Sequence, residues 1–133
     1  MSFNTLGKIG DYKAVEPLII ALDTKNEYFT IVNAIIVLGE IGDIRVVKPL
    51  VNFLDNIDFY LRSLAASALG KIGDLSAIEP LRKSLNDEYG IVRVSAAHAI
   101  KKLEEWNIFE LVQKMIWKFQ PRIDEIWLSL ELK

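Results

Sequence analysis

Apolar and small residues recur at helical spacing along most of the chain. After Asp58, one helical face is formed by Leu61, Leu64, Ala65, Ala68, Leu69 and Ile72. This spacing is typical of an amphipathic α-helix. A shorter helical pattern follows at Ala77, Ile78, Leu81 and Leu85. The pattern therefore predicts a longer and a shorter helix in succession.

The same pair of patterns recurs along the chain. The sequence Leu-Gly-Lys/Glu-Ile-Gly-Asp stands at residues 6–11, 38–43 and 69–74, and five of its six positions are identical in all three copies. A proline-leucine pair keeps the same spacing at Pro17, Pro49 and Pro80. Because the glycine motif and the proline-leucine pair repeat with the same offsets, the sequence predicts tandem helix pairs with a period of 31–32 residues. Such pairs stack into an α-solenoid, because no single pair can bury its apolar face alone.

Glycine, aspartate and proline recur at the predicted boundaries of each helix pair. A left-handed residue that closes the longer helix is expected at Gly10, Gly42 and Gly73. The cap of the shorter helix is expected at Asp11, Asp43 and Asp74. The shorter helices should start near Ala14, Val46 and Ala77, with a distorted first turn as the alternative. The glycines inside the longer helices, which predict close helix packing, are Gly7, Gly39 and Gly70.

These motifs resemble the short HEAT-like repeats named after phycobilisome lyases. The resemblance covers about residues 1–104 and implies an all-α fold, an α-solenoid (α-α superhelix) of about three and a half helix pairs. The arginine that stands at Arg62 and Arg93 is replaced by Ile31 in the earlier copy, whose loop also carries one extra residue. The resemblance is specific for fold and weak for function, because such repeats occur in many scaffolds.

Both ends depart from the repeat. Residues 1–10 supply only the end of a first helix, so Leu18, Ile19, Ile20 and Leu22 are expected to be poorly covered. Three interpretations of this edge stay open: the chain is a fragment of a longer solenoid, the edge packs on another subunit, or the protein tolerates the exposed apolar residues.

At the C-terminal end, residues 105–133 are expected to form a helical cap, with one helix starting at Asn107 and another following Pro121. The tryptophans expected to seal the last repeat, or alternatively to form a binding patch, are Trp106, Trp117 and Trp127.

Composition narrows the function classes. The chain has 133 residues, of which 51% are hydrophobic, and a net charge of −2 with no basic track for nucleic acid. Its longest apolar runs have five residues, too few to span a membrane, so a cytoplasmic location is predicted. The absence of cysteine and the single histidine exclude thiolate chemistry and any site that needs two histidines. His98 is interpreted as an exposed helix residue, and no catalysis, metal or cofactor is predicted.

The predicted function is a non-catalytic scaffold or accessory subunit that binds another protein. The second helices of HEAT arrays usually line the concave side, so the candidate contacts are Lys13, Arg45, Lys48, Asn52, Phe53 and Lys83. A merely solvated helix face is the competing interpretation for each. The self-association edge would be Leu18, Ile19 and Ile20. The alternative function, implied by the resemblance, is a lyase-related subunit that binds or delivers a tetrapyrrole.

Overall fold

The computed structural model describes the backbone of residues 12–131 and the side chains of residues 12–116 and Lys118. This part of the chain is helical and contains no strand. Its α-helices are α1 (Val15–Ala21), α2 (Tyr28–Ile41), α3 (Val47–Phe53), α4 (Phe59–Ile72), α5 (Ile78–Ser84) and α6 (Gly90–Glu131). The chain divides into two compact units, Met1–Leu103 and Glu104–Lys133. The predicted all-α solenoid is confirmed in the first unit.

Long and short helices alternate, as the repeat predicts. α2 and α4 have 14 residues each, and α3 and α5 have seven. A 3₁₀ turn precedes each short helix, over Tyr12–Ala14, Ile44–Val46 and Leu75–Ala77. The α-helix therefore begins one residue later than Ala14, Val46 and Ala77, and the predicted alternative of a distorted first turn is what the chain adopts. The prolines fall in the first α-helical turn, where a missing N–H costs no hydrogen bond.

The predicted boundary residues act as expected where the structure describes them. Gly42 and Gly73 end α2 and α4 in the left-handed region, with φ of 75° and 83°. Asp43 accepts a hydrogen bond from the backbone N–H of Arg45 at 2.8 Å. Asp74 likewise accepts from the N–H of Ser76 at 2.9 Å. Gly7, Gly10 and Asp11 lie outside the described residues.

The long helices pack at the two predicted glycines. A Cβ placed on Gly39 of α2 would lie 2.9 Å from Cβ of Ala68 in α4. A Cβ on Gly70 of α4 would lie 2.9 Å from Cβ of Ala99 in α6. These separations leave no room for a methyl group, so glycine sets the spacing between neighbouring repeats. Between these layers lies a continuous apolar core that includes Ile35, Leu38, Leu50, Leu69, Leu81 and Leu103.

The N-terminal edge is better covered than the sequence suggested. Leu18 and Leu22 are buried, with 1% and 5% of their surface exposed. The expectation that they would be poorly covered is therefore wrong, because Leu18 in α1 and Leu22 at its C-cap, four residues on, both belong to the apolar core.

The C-terminal part corrects two predicted helix boundaries. α6 is one helix of 42 residues and continues through both Asn107 and Pro121. Asn107 is therefore not an N-cap, and Pro121 does not end the helix. The surrounding residues include many good helix formers and, from Glu104 to Glu131, no glycine, so a single unfavourable residue is accommodated.

The second unit, taken by itself, exposes much of its apolar surface. Trp106 and Phe109 stack with ring centroids 5.6 Å apart, and each ring is about half exposed. The side chains of Trp117, Phe119 and Trp127 lie outside the described residues. The role of residues 105–133 as a cap stays a prediction.

Candidate partner-binding surface

The structure brings most of the predicted contact residues to the surface of the short helices and the turns before them. Lys13, Arg45, Lys48, Asn52 and Lys83 are all exposed.

The prediction that Phe53 contacts a partner is wrong, because only 7% of its surface is exposed. Val46, Leu50 and Phe53 follow i, i+4, i+7 spacing, which places Phe53 on the inward face of its helix. That spacing was visible in the sequence and indicates burial.

Arg45 is held by intramolecular contacts. Its Nη2 donates to Oδ2 of Asp43 at 2.7 Å and to the carbonyl oxygen of Tyr12 at 3.3 Å. Its Nη1 also lies 3.6 Å from Oε1 of Glu16. The hydrogen bonds from Arg45 hold the pKa of the Asp43 carboxyl below its ordinary value. Arg45 therefore ties the turn before α3 to the turn before α1, rather than being held ready for a partner.

A groove separates the two short helices α3 and α5. Its cavity of about 370 Å³ is lined by Val51, Leu54, Asp55, Glu79, Pro80, Lys83, Ser84 and Asp87. Apolar groups come from both sides, and acidic groups lie beside them. Of the six candidate contact residues predicted from the sequence, Lys83 alone is in this lining. Three of its eight lining residues are apolar and five are polar or charged, so the groove offers apolar contact beside hydrogen-bonding and charged groups.

Asp87 of this lining forms an ion pair with Arg62. Arg62 donates from Nε to Oδ2 of Asp87 at 2.8 Å and from Nη2 to Oδ1 at 3.0 Å. Its Nη1 donates to the carbonyl oxygens of Asn56 and Ile57 at 2.8 and 3.1 Å. The side-chain hydrogen bonds from Arg62 hold the pKa of Asp87 below its ordinary value, while burial opposes this. The recurrence of arginine at Arg62 and Arg93 was the only signal in the sequence, and it did not identify Asp87.

A family model for HEAT repeats matches residues 18–101. The chain belongs to the HEAT-repeat family. The HEAT-like character predicted from the repeated motifs is thus confirmed. The groove accordingly lies between the second helices of consecutive HEAT repeats.

Among solved structures, one that this HEAT-repeat chain resembles is the complex of CpcE and CpcF of phycocyanin lyase from Nostoc sp. PCC7120. The identity is 23%, the TM-score is 0.49, and the alignment covers 84% of this chain. The present chain spans 61% of the length of that chain. No curated protein matches significantly.

The N-terminal edge of the HEAT repeats retains one strongly exposed apolar residue. Ile20 is 71% exposed, whereas Ile19 is only partly exposed and Leu18 is buried. The buried Leu18 therefore cannot contribute to the predicted self-association edge, of which Ile20 is the most exposed residue. Self-association stays a prediction.

The next question is whether the described residues include a histidine site, a metal-binding cluster or a membrane-spanning helix. His98 is exposed on α6, as predicted. Within the part of the chain that the structure describes, no three histidine, aspartate or glutamate side chains are grouped so as to hold a metal ion. None of the helices in that part combines the length and the apolar character needed to cross a membrane.

Proposed function

We propose that this HEAT-repeat chain is a non-catalytic cytoplasmic subunit that binds a partner protein at the groove between α3 and α5. The observation that carries the proposal is the groove itself, in which Val51, Leu54 and Pro80 lie beside polar and charged groups. Lys48 and Asn52 are exposed on α3, and Lys83 belongs to the cavity wall. Apolar contact supplies affinity, and the surrounding charges select the partner.

The test compares the proteins recovered from native cells by the wild-type chain and by a groove variant. In Lys48→Glu/Lys83→Glu, both exposed cations are reversed without removing any buried side chain. We expect the partner to be lost while the melting temperature changes little. The matched control is Lys71→Glu/Lys101→Glu, which makes the same charge change at exposed positions of the long helices. If both variants recover the same proteins as the wild type, the groove is not the docking surface.

A second candidate is a lyase-related subunit that binds or delivers a tetrapyrrole. The specific observation in its favour is the size of the cavity, about 370 Å³, which falls in the range of small-molecule pockets. Titration with a bilin or with haem tests it by absorbance. A saturable spectral shift that is lost in Val51→Asp, at a partly buried position of the lining, favours this function. The absence of a shift at high micromolar ligand removes its support.

Self-association at Ile20 can be separated from both candidates. Sedimentation at several protein concentrations would show a dimer for the wild type and a monomer for Ile20→Asp. A strict monomer for the wild type would contradict self-association without affecting the groove proposal.

A further inference from the structure

A second surface lies along the loops that precede the long helices. It consists of residues 23–29, 54–60 and 85–91 and is called the loop edge below. Its partly or largely exposed aromatic side chains are Tyr28, Phe29, Phe59, Tyr60 and Tyr89. Because rings of this size are usually buried, an exposed group of five indicates an interaction surface.

Contacts between side chains join the three loops. The rings of Phe59 and Tyr89 stack with centroids 4.5 Å apart and planes 14° from parallel. Desolvation, and after it a side-chain interaction with Asp58 of the next loop, raise the pKa of the Tyr28 phenol. The loop edge is therefore one continuous surface across three repeats.

The loop edge is acidic, although the chain is nearly neutral. Its own residues include six carboxylates and one lysine, a formal charge of −5, and Arg62 and Arg93, which both donate hydrogen bonds to Asp87, reduce this to −3, against −2 for the whole chain. The exposed carboxylates among them are Asp23, Glu27, Asp55 and Glu88. Their field repels acidic peptides and nucleic acid, and it attracts cations.

The loop edge already binds one guanidinium group within the chain. Arg62 donates two hydrogen bonds to Asp87, and its Cζ lies 5.7 Å from the centroid of the Tyr89 ring. A planar guanidinium is well suited to this combination of a carboxylate and an aromatic face. The exposed rings and carboxylates of the neighbouring loops offer the same combination to an external arginine.

We infer that the loop edge docks an arginine-rich segment of a partner protein, whose guanidinium groups pair with the exposed carboxylates and stack on the exposed rings. This surface goes beyond the groove and does not depend on it. Leu54, Asp55 and Asp87 belong to both surfaces, so a partner seated on one reaches the other.

The probe is a fluorescent peptide in which arginine alternates with serine, titrated by anisotropy with the full chain. Peptides with lysine, glutamate or leucine in place of arginine are compared at the same ionic strength. We expect the arginine peptide to bind more tightly than the lysine peptide, because lysine lacks the planar fork. The glutamate and leucine peptides should not bind. Tighter binding of the leucine peptide would overturn the inference in favour of an apolar partner.

Two sets of variants assign binding to the loop edge. Asp55→Asn/Glu88→Gln should weaken binding about tenfold, as expected for two lost charge contacts. Phe29→Ser and Tyr60→Ser should each weaken it about twofold to fivefold. The matched control, Glu40→Gln/Glu110→Gln, removes the same charge from exposed helix positions. If the control weakens binding as much as the loop variants, the attraction is nonspecific and the inference is wrong.

Failure of this inference and failure of the groove proposal are distinguishable. Lys48→Glu/Lys83→Glu should leave arginine-peptide binding intact or slightly stronger while abolishing partner recovery at the groove. Self-association that is lost in Phe29→Ser would instead identify a second copy as the occupant of the loop edge and would overturn the inference.

Discussion

Arg62 and Asp87 form a bidentate ion pair that joins two consecutive repeats, although they are 25 residues apart. Both side chains are largely buried, with 11% and 12% exposed. The same guanidinium also donates to two carbonyl oxygens in the loop before α4. One side chain thus fixes the loop of its own repeat and the loop of the next.

Asp87→Asn should lower the free energy of unfolding by about 2–3 kcal/mol, because it leaves the largely buried Arg62 without its counter-charge. Urea denaturation measures the change. Glu79→Gln is the control, because the pair between Glu79 and Arg82 is exposed and should contribute less than about 1 kcal/mol. Equal changes in the free energy of unfolding for the two variants would show that the Arg62–Asp87 pair stabilises the chain no more than an exposed pair does.

The stability of the chain should depend on pH through Asp87. Its folded pKa lies below the ordinary value of 3.8, chiefly because of the hydrogen bonds from Arg62. A depressed folded pKa contributes stability that is present above the unfolded pKa and is lost as pH falls through the folded value. The difference in unfolding free energy between wild type and Asp87→Asn should therefore shrink below about pH 4.

Denaturant titrations of both proteins between neutral and strongly acid pH give this difference. In Arg62→Gln, Asp87 loses the main cause of its lowered pKa, so this part of the acid sensitivity should be reduced. A difference that stays constant with pH would contradict the assignment.

Ile31 and Asn56 occupy the positions of Arg62 and Asp87 one repeat earlier. Ile31 is buried, and Oδ1 of Asn56 accepts from the N–H of Asp58 at 2.9 Å, just as Oδ1 of Asp87 accepts from Tyr89. The arginine and the aspartate are thus absent together. In the loop before α2, the amide of Asn26 instead donates to the carbonyl oxygens of Ile20 and Ala21 at the end of α1.

Ile31→Arg alone should destabilise the chain by about 2–4 kcal/mol, because it buries an unpaired charge. Adding Asn56→Asp should recover at least about 1 kcal/mol by rebuilding the pair. A double-mutant cycle in urea measures the coupling, with Asn56→Asp as the second single variant. Additive effects would show that the two positions do not meet as their repeat equivalents do.

The repeated motifs predicted the helix pairs and their boundaries because each boundary is a local event. Gly42 and Asp43 act through their own backbone conformation and through atoms two residues away. The contacts of Arg45 with Tyr12 and of Arg62 with Asp87 join different repeats, and helical periodicity carries no information about which loops meet. The continuation of α6 through Pro121 does not follow from the local preference of proline, because the helix formers on both sides of it outweigh that preference.

The candidate surface was only partly predictable for the same reason. Exposure of Lys48, Asn52 and Lys83 follows from helical spacing, and so does the burial of Phe53. The groove depends on the separation of α3 and α5, which is set by the packing of the long helices. Glu79 lies on α5, whereas Asp55 and Asp87 come from the loops that follow the short helices, outside the pattern of the second helices.

Gly70→Ala should lower the free energy of unfolding by about 1–3 kcal/mol, because its new Cβ would lie 2.9 Å from both Cα and Cβ of Ala99. The overpacking outweighs the gain in helix propensity of about 1 kcal/mol. Gly90→Ala is the matched control, since its Cβ would meet only the end of the Arg93 side chain at 3.5 Å. Thermal and urea denaturation should show loss for the first variant and none for the second. If Gly70→Ala left the free energy of unfolding unchanged, the repeats could move apart to accommodate the methyl group without loss of stability.

Charge reversal at Arg45 and at Lys48 should have different consequences, although the sequence placed both on one binding surface. Arg45→Glu would set a carboxylate beside Asp43 and remove the hydrogen bond to the carbonyl oxygen of Tyr12. We expect its melting temperature to fall. Lys48 makes no ion pair within the described part of the chain, so Lys48→Glu should melt like the wild type. Calorimetry of the two single variants separates a structural arginine from a surface lysine, and equal melting temperatures would show that the contacts of Arg45 do not stabilise the junction between the repeats.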